Sequence, residues 1–203
     1  MTDKPANTQY PIHELLQKRW SPRAFSAQPI SPQTLCSLLE AARWSASSFN
    51  EQPWFFIVAT QSQPEPYQKL LACLAEANQA WANQAPVLML SVAKLQFAHN
   101  NKENRHAFHD VGAAVASLSV QATAMGLFVH QMAGFDVNKA IEAFAIPATH
   151  TPVAAIAIGY PGNLLALPSD QRERELAPRT RKPLSEFVFS ETWGNPSPDI
   201  FAN

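Results

Sequence analysis

The chain has 203 residues, of which 46% are hydrophobic and 15% charged, with a formal net charge of −1. This suits a single folded domain with a sizeable core, expected over residues 1–203, and excludes a global field that would draw nucleic acid or an anionic membrane. No run reaches the roughly 18 apolar residues of a membrane span, and residues 1–10 lack the apolar core of a secretion signal, so a cytoplasmic protein is expected.

In chain order, residues 1–10 are polar and read as a loose or partner-draped tail. Residues 11–19 form a short helix with Ile12, Leu15 and Leu16 on one face. Ser31-Pro32 is a helix cap followed by proline at the first helical position, and the helix runs to about residue 44. A strand is expected at 54–60, a helix at 67–81 and a fully buried strand at 86–93. Residues 107–126 read as a long helix that is apolar on most faces and rich in Gly and Ala, including Gly112, Ala113 and Ala116. That pattern fits a central core helix and a subunit-interface helix equally well.

A short strand at 127–132 is followed by a helix capped by Asp136 and ending near 144. Residues 152–160 form another buried strand, and after Pro161-Gly162 comes a loop rich in proline and charge. Residues 183–203 form a C-terminal extension carrying Phe187, Phe189, Trp193 and Phe201; aromatics at a terminus pack on something, here expected to be a second copy of the chain. Strands alternating with helices indicate an α/β or α+β sheet covered by helices. The two cysteines, Cys36 and Cys73, sit in apolar stretches and are expected as small buried hydrophobes. No Cys-x-x-Cys or Cys/His pattern supports a metal site, and His99, His106 and His109 lack supporting ligands.

Four segments carry candidate chemistry. Arg19-Trp20-Ser21-Pro22-Arg23 places two guanidinium forks around a hydroxyl in a turn, a donor set suited to phosphate or to a plain solvated surface. Arg179-Thr180-Arg181 repeats the alternation near the other end of the chain. Ser47-Ser48-Phe49-Asn50-Glu51-Gln52 precedes Pro53-Trp54 and a strand, so its hydroxyls and amides can meet the edge of a planar polar ligand or simply cap the loop. In His130-Gln131-Met132-Ala133-Gly134-Phe135-Asp136, Gly134 permits close backbone approach at a strand-to-helix turn. Six glycines, no dinucleotide fingerprint, no Gly-x-Ser-x-Gly and no His-Glu-x-x-His leave no side-chain nucleophile or catalytic pair, so any reaction falls to a bound cofactor.

Taken together, Arg19-x-Ser21-x-Arg23, Ser47-Ser48-x-Asn50-x-Gln52-Pro53-Trp54, Asp110-x-Gly112-Ala113-Ala114, Gly126-Leu127 with Gly134-Phe135-Asp136, and Arg179-x-Arg181-x-Pro183-Leu184 resemble, in order, motifs of the FMN-dependent nitroreductase family. The resemblance implies an α+β fold with a central, mostly antiparallel sheet flanked by helices. It also implies a domain-swapped homodimer with FMN at the subunit interface. On that resemblance the cofactor-binding residues are Arg19, Trp20, Ser21, Arg23, Ser47, Ser48, Asn50, Gln52, Gln131, Met132, Ala133, Gly134, Arg179 and Arg181. The arginines and Ser21 would take the FMN phosphate, Asn50 the ribityl chain or a ring edge, and a backbone N–H near Ala133–Gly134 the hydride-accepting ring nitrogen. The implied activity is ping-pong hydride transfer from NADH or NADPH to a nitroaromatic, quinone or related planar acceptor. The alternative is a non-catalytic flavin carrier or sensor. Ala46, Trp20 and Ala133 depart from common family choices, and the implied partners include neither nucleic acid nor membrane.

Overall fold

The structure, a computed structural model, describes residues 4–201; residues 1–3 and 202–203 of the two expected terminal segments lie outside them. A four-stranded sheet in the order β1-β2-β4-β3 organises the chain: β1 (Trp54–Thr60), β2 (Val87–Lys94), β3 (Phe128–Met132) and β4 (His150–Gly159), every pair antiparallel. Around it lie α1 (Glu14–Lys18), α2 (Pro32–Arg43), α3 (Pro64–Leu71), α4 (Glu76–Ala82), α5 (Ala107–Ala124), α6 (Val137–Phe144), α7 (Ser169–Leu176) and α8 (Pro198–Phe201). The α+β class and the antiparallel sheet match the expectation.

The sheet is apolar on both faces because helices cover both. Along β2, Val87, Met89 and Ala93 join α2 and α5 residues in one core, while Leu88, Leu90 and Val92 enter a second core with Tyr67, Leu70 and Trp81. Between Ser91 and Val92 the register with β4 slips by one residue, accommodating Pro152, which has no N–H to give the ladder. The buried Ser91 Oγ satisfies the disturbed backbone, donating to Ala154 O at 3.1 Å and accepting from Ala154 N at 3.2 Å.

Local signals place the helix ends. Ser31 Oγ accepts from Thr34 N at 3.1 Å and Asp136 Oδ1 from Lys139 N at 2.9 Å, both as the cap residues predict. In α5, Val111, Ala114, Val115, Leu118 and Ala122 face the core, while Phe108, Gly112 and Ala116 face outward and are exposed. Both readings of that helix therefore survive, one for each face.

Three expectations are corrected. Residues 67–81 are two helices, because residues 73–75 pair instead with the turn at 134–136: Ala75 N donates to Gly134 O at 2.9 Å and Asp136 N to Cys73 O at 2.8 Å. The charged segment after Gly162 is not all loop but contains α7, whose buried residues are the polar Gln171 and Glu175, so no apolar period announces it. Cys36 is exposed on the outer side of α2, whereas Cys73 is buried. At the C-terminus, residues 183–201 fold back on themselves through a Phe189–Pro196 bridge and leave Trp193 94% exposed. Among the described residues, no helix is long and apolar enough to cross a membrane, and no three His, Cys, Asp or Glu side chains cluster to hold a metal ion.

Candidate functional site

Arginines from the two ends of the chain meet. Lys4, Arg19, Trp20, Ser21, Arg23, Arg174, Glu175, Arg179 and Arg181 line one cavity of about 270 Å³. Arg19 Nη1 donates to Ser21 Oγ at 3.3 Å, so the hydroxyl and the guanidinium face the same space. Burial and the neighbouring Arg181 hold Arg19 below the usual arginine range; burial, Arg19 and Arg181 do the same to Arg179. Cations crowded out of water in this way are relieved by an anion, and a phosphate matches guanidinium forks.

Arg179 has a second task. Its Nη1 donates to Lys4 O at 2.7 Å and Gln17 O at 2.9 Å, and its Nη2 to Arg19 O at 2.8 Å. The N-terminal segment, expected to be loose or draped on a partner, is thereby tied to its own domain from Lys4 onward; Lys4 Nζ in turn donates to Ala177 O at 2.6 Å and lies 4.9 Å from the Trp20 ring centroid. Arg181 is freer, donating to the neighbouring Thr180 O at 2.7 Å.

Two residues outside the expected set hold the Arg19–Arg23 turn. Glu175, on α7, accepts from Arg23 N at 2.8 Å and Ala24 N at 3.2 Å. His130, on β3, meets Pro22 O through Nδ1 at 2.8 Å, which requires the proton on Nδ1. Its ring centroid is 4.5 Å from that of Trp81, and burial, ahead of the positive charges of Arg23 and Arg19, lowers its pKa to about 4, so it is neutral near pH 7. His130 stood in the segment singled out for Gly134, but a lone histidine on a strand gives no sign of its partner. Glu175 gave none, lying in a run of charged residues.

The turn after β3 starts at Ala133, three residues beyond His130. Met132 is buried in the core, so only its backbone can face a ligand; Gln131 and Ala133 are exposed. Gly134 O accepts from Ala75 N and Asn78 Nδ2, each at 2.9 Å, which fixes the turn; among the described residues its N–H bonds to no other group of the chain. A Cβ at Gly134 would stand 2.6 Å from Asn78 Nδ2, so a larger residue here would push that amide off the Gly134 carbonyl.

The amide loop is strained and braced. Phe49, Asn50 and Gln52 all have positive φ, at 54°, 55° and 52°, a conformation costly for residues with a Cβ. Ser47 Oγ accepts from Gln52 N at 3.0 Å, and the buried Asp110 at the start of α5 accepts from Ser48 N at 3.0 Å. Glu51 accepts from Ala98 N at 2.7 Å. The Asn50 side chain makes no hydrogen bond among the described residues and points outward with Phe49, which is 83% exposed.

The structure does not bring this loop to the arginines of the same chain. The loop leads into β1, at one edge of the sheet, while His130 ties the arginine turn to β3, at the other. Trp54 pairs with Ala93 and, through it, with the level of Thr151 on β4, whereas His130 pairs with Ala157. Three strand spacings across and six residues along put the two corners on the order of 25 Å apart. One chain therefore offers a cluster of cations with an adjoining strand turn and, far from the cations, an amide loop.

Fold and site together define a small α+β domain with an arginine-lined cavity beside a fixed backbone turn. The chain belongs to the nitroreductase family, whose model matches residues 16–160. It is 36% identical over 126 residues to an uncharacterized 15.4 kDa protein of Mycolicibacterium smegmatis, covering 62% of this chain and 84% of that one. It is 25% identical over 158 residues to an FMN reductase [NAD(P)H] of Bacillus subtilis, covering 70% of this chain and 62% of that protein. Among solved structures it is similar to an oxidoreductase containing FMN, with a TM-score of 0.89, 33% identity and coverage of 96% of this chain and 100% of that one. A nitroreductase family protein of Clostridium difficile 630 aligns with a TM-score of 0.68 at 25% identity, over 88% and 96% of the two chains.

Proposed function

We propose that this protein is an FMN-dependent NAD(P)H oxidoreductase whose two FMN sites are each assembled from two copies of the chain. The observation that carries the reading is the meeting of Arg19 and Arg23 with Arg179 and Arg181 around one cavity. The donor set fits a phosphate monoester: crowded guanidinium groups, a hydroxyl at Ser21 and Lys4 nearby, with a single buried carboxylate among them. Bound FMN would supply the redox chemistry, ping-pong hydride transfer between NADH or NADPH and a nitroaromatic, quinone or similar planar acceptor.

The residues of the chain bind and orient. Arg19, Arg23, Arg181 and Ser21 hold the phosphate, with Arg179 keeping the arginine turn closed. The Gly134 N–H, held in place by the bonds to its own carbonyl, is the donor offered to the flavin ring. The loop with Ser47, Ser48, Asn50 and Gln52 lies too far away to serve the same ligand, so it completes the site of a partner. Exposed Phe108, Gly112 and Ala116 on α5, together with Phe187 and Trp193 of the C-terminal extension, are the apolar surface such a partner would cover.

Two experiments test the reading. Purified protein should be yellow, and its flavin should be bleached by NADH or NADPH and reoxidised by a quinone; yellow protein inert to both nucleotides would support the carrier or sensor alternative instead. For shared sites, Arg23→Ala and Asn50→Ala should each weaken FMN retention. Co-expression of the two variants should regenerate one intact site per mixed dimer and restore tight FMN to it. No recovery would end the two-copy proposal.

A further inference from the structure

The cavity of cations contains one acid, and it is the most buried side chain there. Glu175 has a side-chain exposure of 1%, lies in the last turn of α7 and has no solvent to stabilise its charge. Placing a carboxylate next to a phosphate site weakens the attraction for phosphate, and burying it costs free energy. A plain anion cavity would do better with an apolar or amide residue. Its retention has to be sought in what it holds.

What it holds is the arginine turn. Oε1 accepts from two consecutive backbone donors, Arg23 N at 2.8 Å and Ala24 N at 3.2 Å, and Ala24 is buried. Oε2 has no hydrogen-bond partner among the described residues and stands 3.9 Å from Arg23 Nη1, within ion-pair range. The Glu175 main-chain carbonyl accepts from Lys4 Nζ. One residue thus fixes the backbone of Arg23, leans on its guanidinium and anchors a further cation from the N-terminus.

We propose that Glu175 is the positioning residue of the phosphate cradle, holding the Arg23–Ala24 backbone so that Arg19, Ser21 and Arg23 converge on one phosphoryl group. The proposal rests on the FMN reading above. Without an acceptor at Oε1, two N–H groups are orphaned, one buried and one half-buried, the turn opens toward water to satisfy them, and Arg23 leaves the cavity. The effect is confined to the phosphate end, since Glu175 touches neither the 131–134 turn nor the amide loop.

The test compares FMN with riboflavin, which has the same ring and ribityl chain but no phosphate, by fluorescence titration of the full-length chain stripped of flavin. Wild type should prefer FMN. Glu175→Ala should lower the FMN-to-riboflavin affinity ratio at least tenfold while leaving riboflavin affinity within about threefold, and Glu175→Gln, which keeps an acceptor oxygen, should retain most of the ratio. General loosening of the fold would weaken both ligands alike, so the ratio isolates positioning. Should the alanine variant fail to fold, Glu175→Asp keeps the charge but withdraws the oxygen by one methylene and should lower the ratio in the same way. An unchanged ratio in the alanine or aspartate variant, equal loss of both ligands, or loss of the ratio in the glutamine variant would overturn the proposal. A wild-type chain without preference for FMN would remove the FMN reading itself, and that titration identifies the case.

Discussion

The guanidinium of Arg179 donates to the carbonyl oxygen of Arg19 at 2.8 Å, across 160 residues of chain. The bond is between a side chain and a main chain, so the C-terminal arginine shapes the N-terminal turn instead of merely adding charge to it. Two further carbonyls, those of Lys4 and Gln17, are held by the same group.

Arg179→Ala is therefore expected to destabilise the flavin-free protein by about 2–3 kcal/mol, the scale of charge-assisted bonds left unmade, read as a lower urea midpoint. Arg179→Lys should recover little, because an ammonium cannot span three carbonyls as a planar fork does. A lysine variant as stable as wild type would mean that charge alone matters here.

His130 gives a pH dependence with a definite sign. Its folded pKa is lowered to about 4, chiefly by burial, from an ordinary value of 6.5. Between those values the unfolded chain holds more protons than the folded one. Stability from this residue is complete above about pH 6.5 and declines as pH falls toward 4, by up to about 3 kcal/mol. His130→Gln keeps an N–H for Pro22 O without titrating, so its urea midpoint should fall less than that of wild type between pH 7 and 4.5. Parallel profiles would show that the imidazole does not titrate as described.

Asp110 braces a loop that strain would otherwise open, accepting from Ser48 N at 3.0 Å. In Asp110→Ala, amide exchange at Ser48 and the residues up to Gln52 should accelerate about tenfold or more, as loss of a charged hydrogen bond implies. Mass-spectrometric exchange with and without the variant measures it, and unchanged protection would mean the loop holds itself.

Gly134→Ala should lower the thermal midpoint, since the new Cβ falls 2.6 Å from Asn78 Nδ2 and displaces that amide from the Gly134 carbonyl it bonds at 2.9 Å, a loss of about 0.5–1.5 kcal/mol. Adding Asn78→Ala removes the obstacle, so the double variant should lose less than the two single losses combined. Strict additivity would indicate that the two side chains do not meet.

Much of the fold could be read from local pattern. The cap at Ser31 with Pro32, the cap at Asp136, the β1 strand and the period of α5 all depend on neighbours in sequence, and each stands where the pattern puts it. The break between α3 and α4 did not follow, because pairing of residues 73–75 with the distant 134–136 turn overrides local helix preference. Neither did α7, whose buried face is polar: Gln171 and Glu175 carry no hydrophobic signal, and a buried carboxylate makes sense only once the Arg23–Ala24 backbone is beside it.

The chemistry was local information: guanidinium forks, amides and a glycine turn announce their donors through residue type, and their order along the chain resembles a family whose cofactor is the phosphate-bearing, planar FMN. Which donors share one site is a matter of distance. Antiparallel pairing carries the amide loop and the arginine turn to opposite corners of the sheet, roughly 25 Å apart, whereas a buried glutamate and a neutral histidine draw the arginine turn shut. Residue order cannot encode those separations, because they arise only when strands from across the chain take their places side by side.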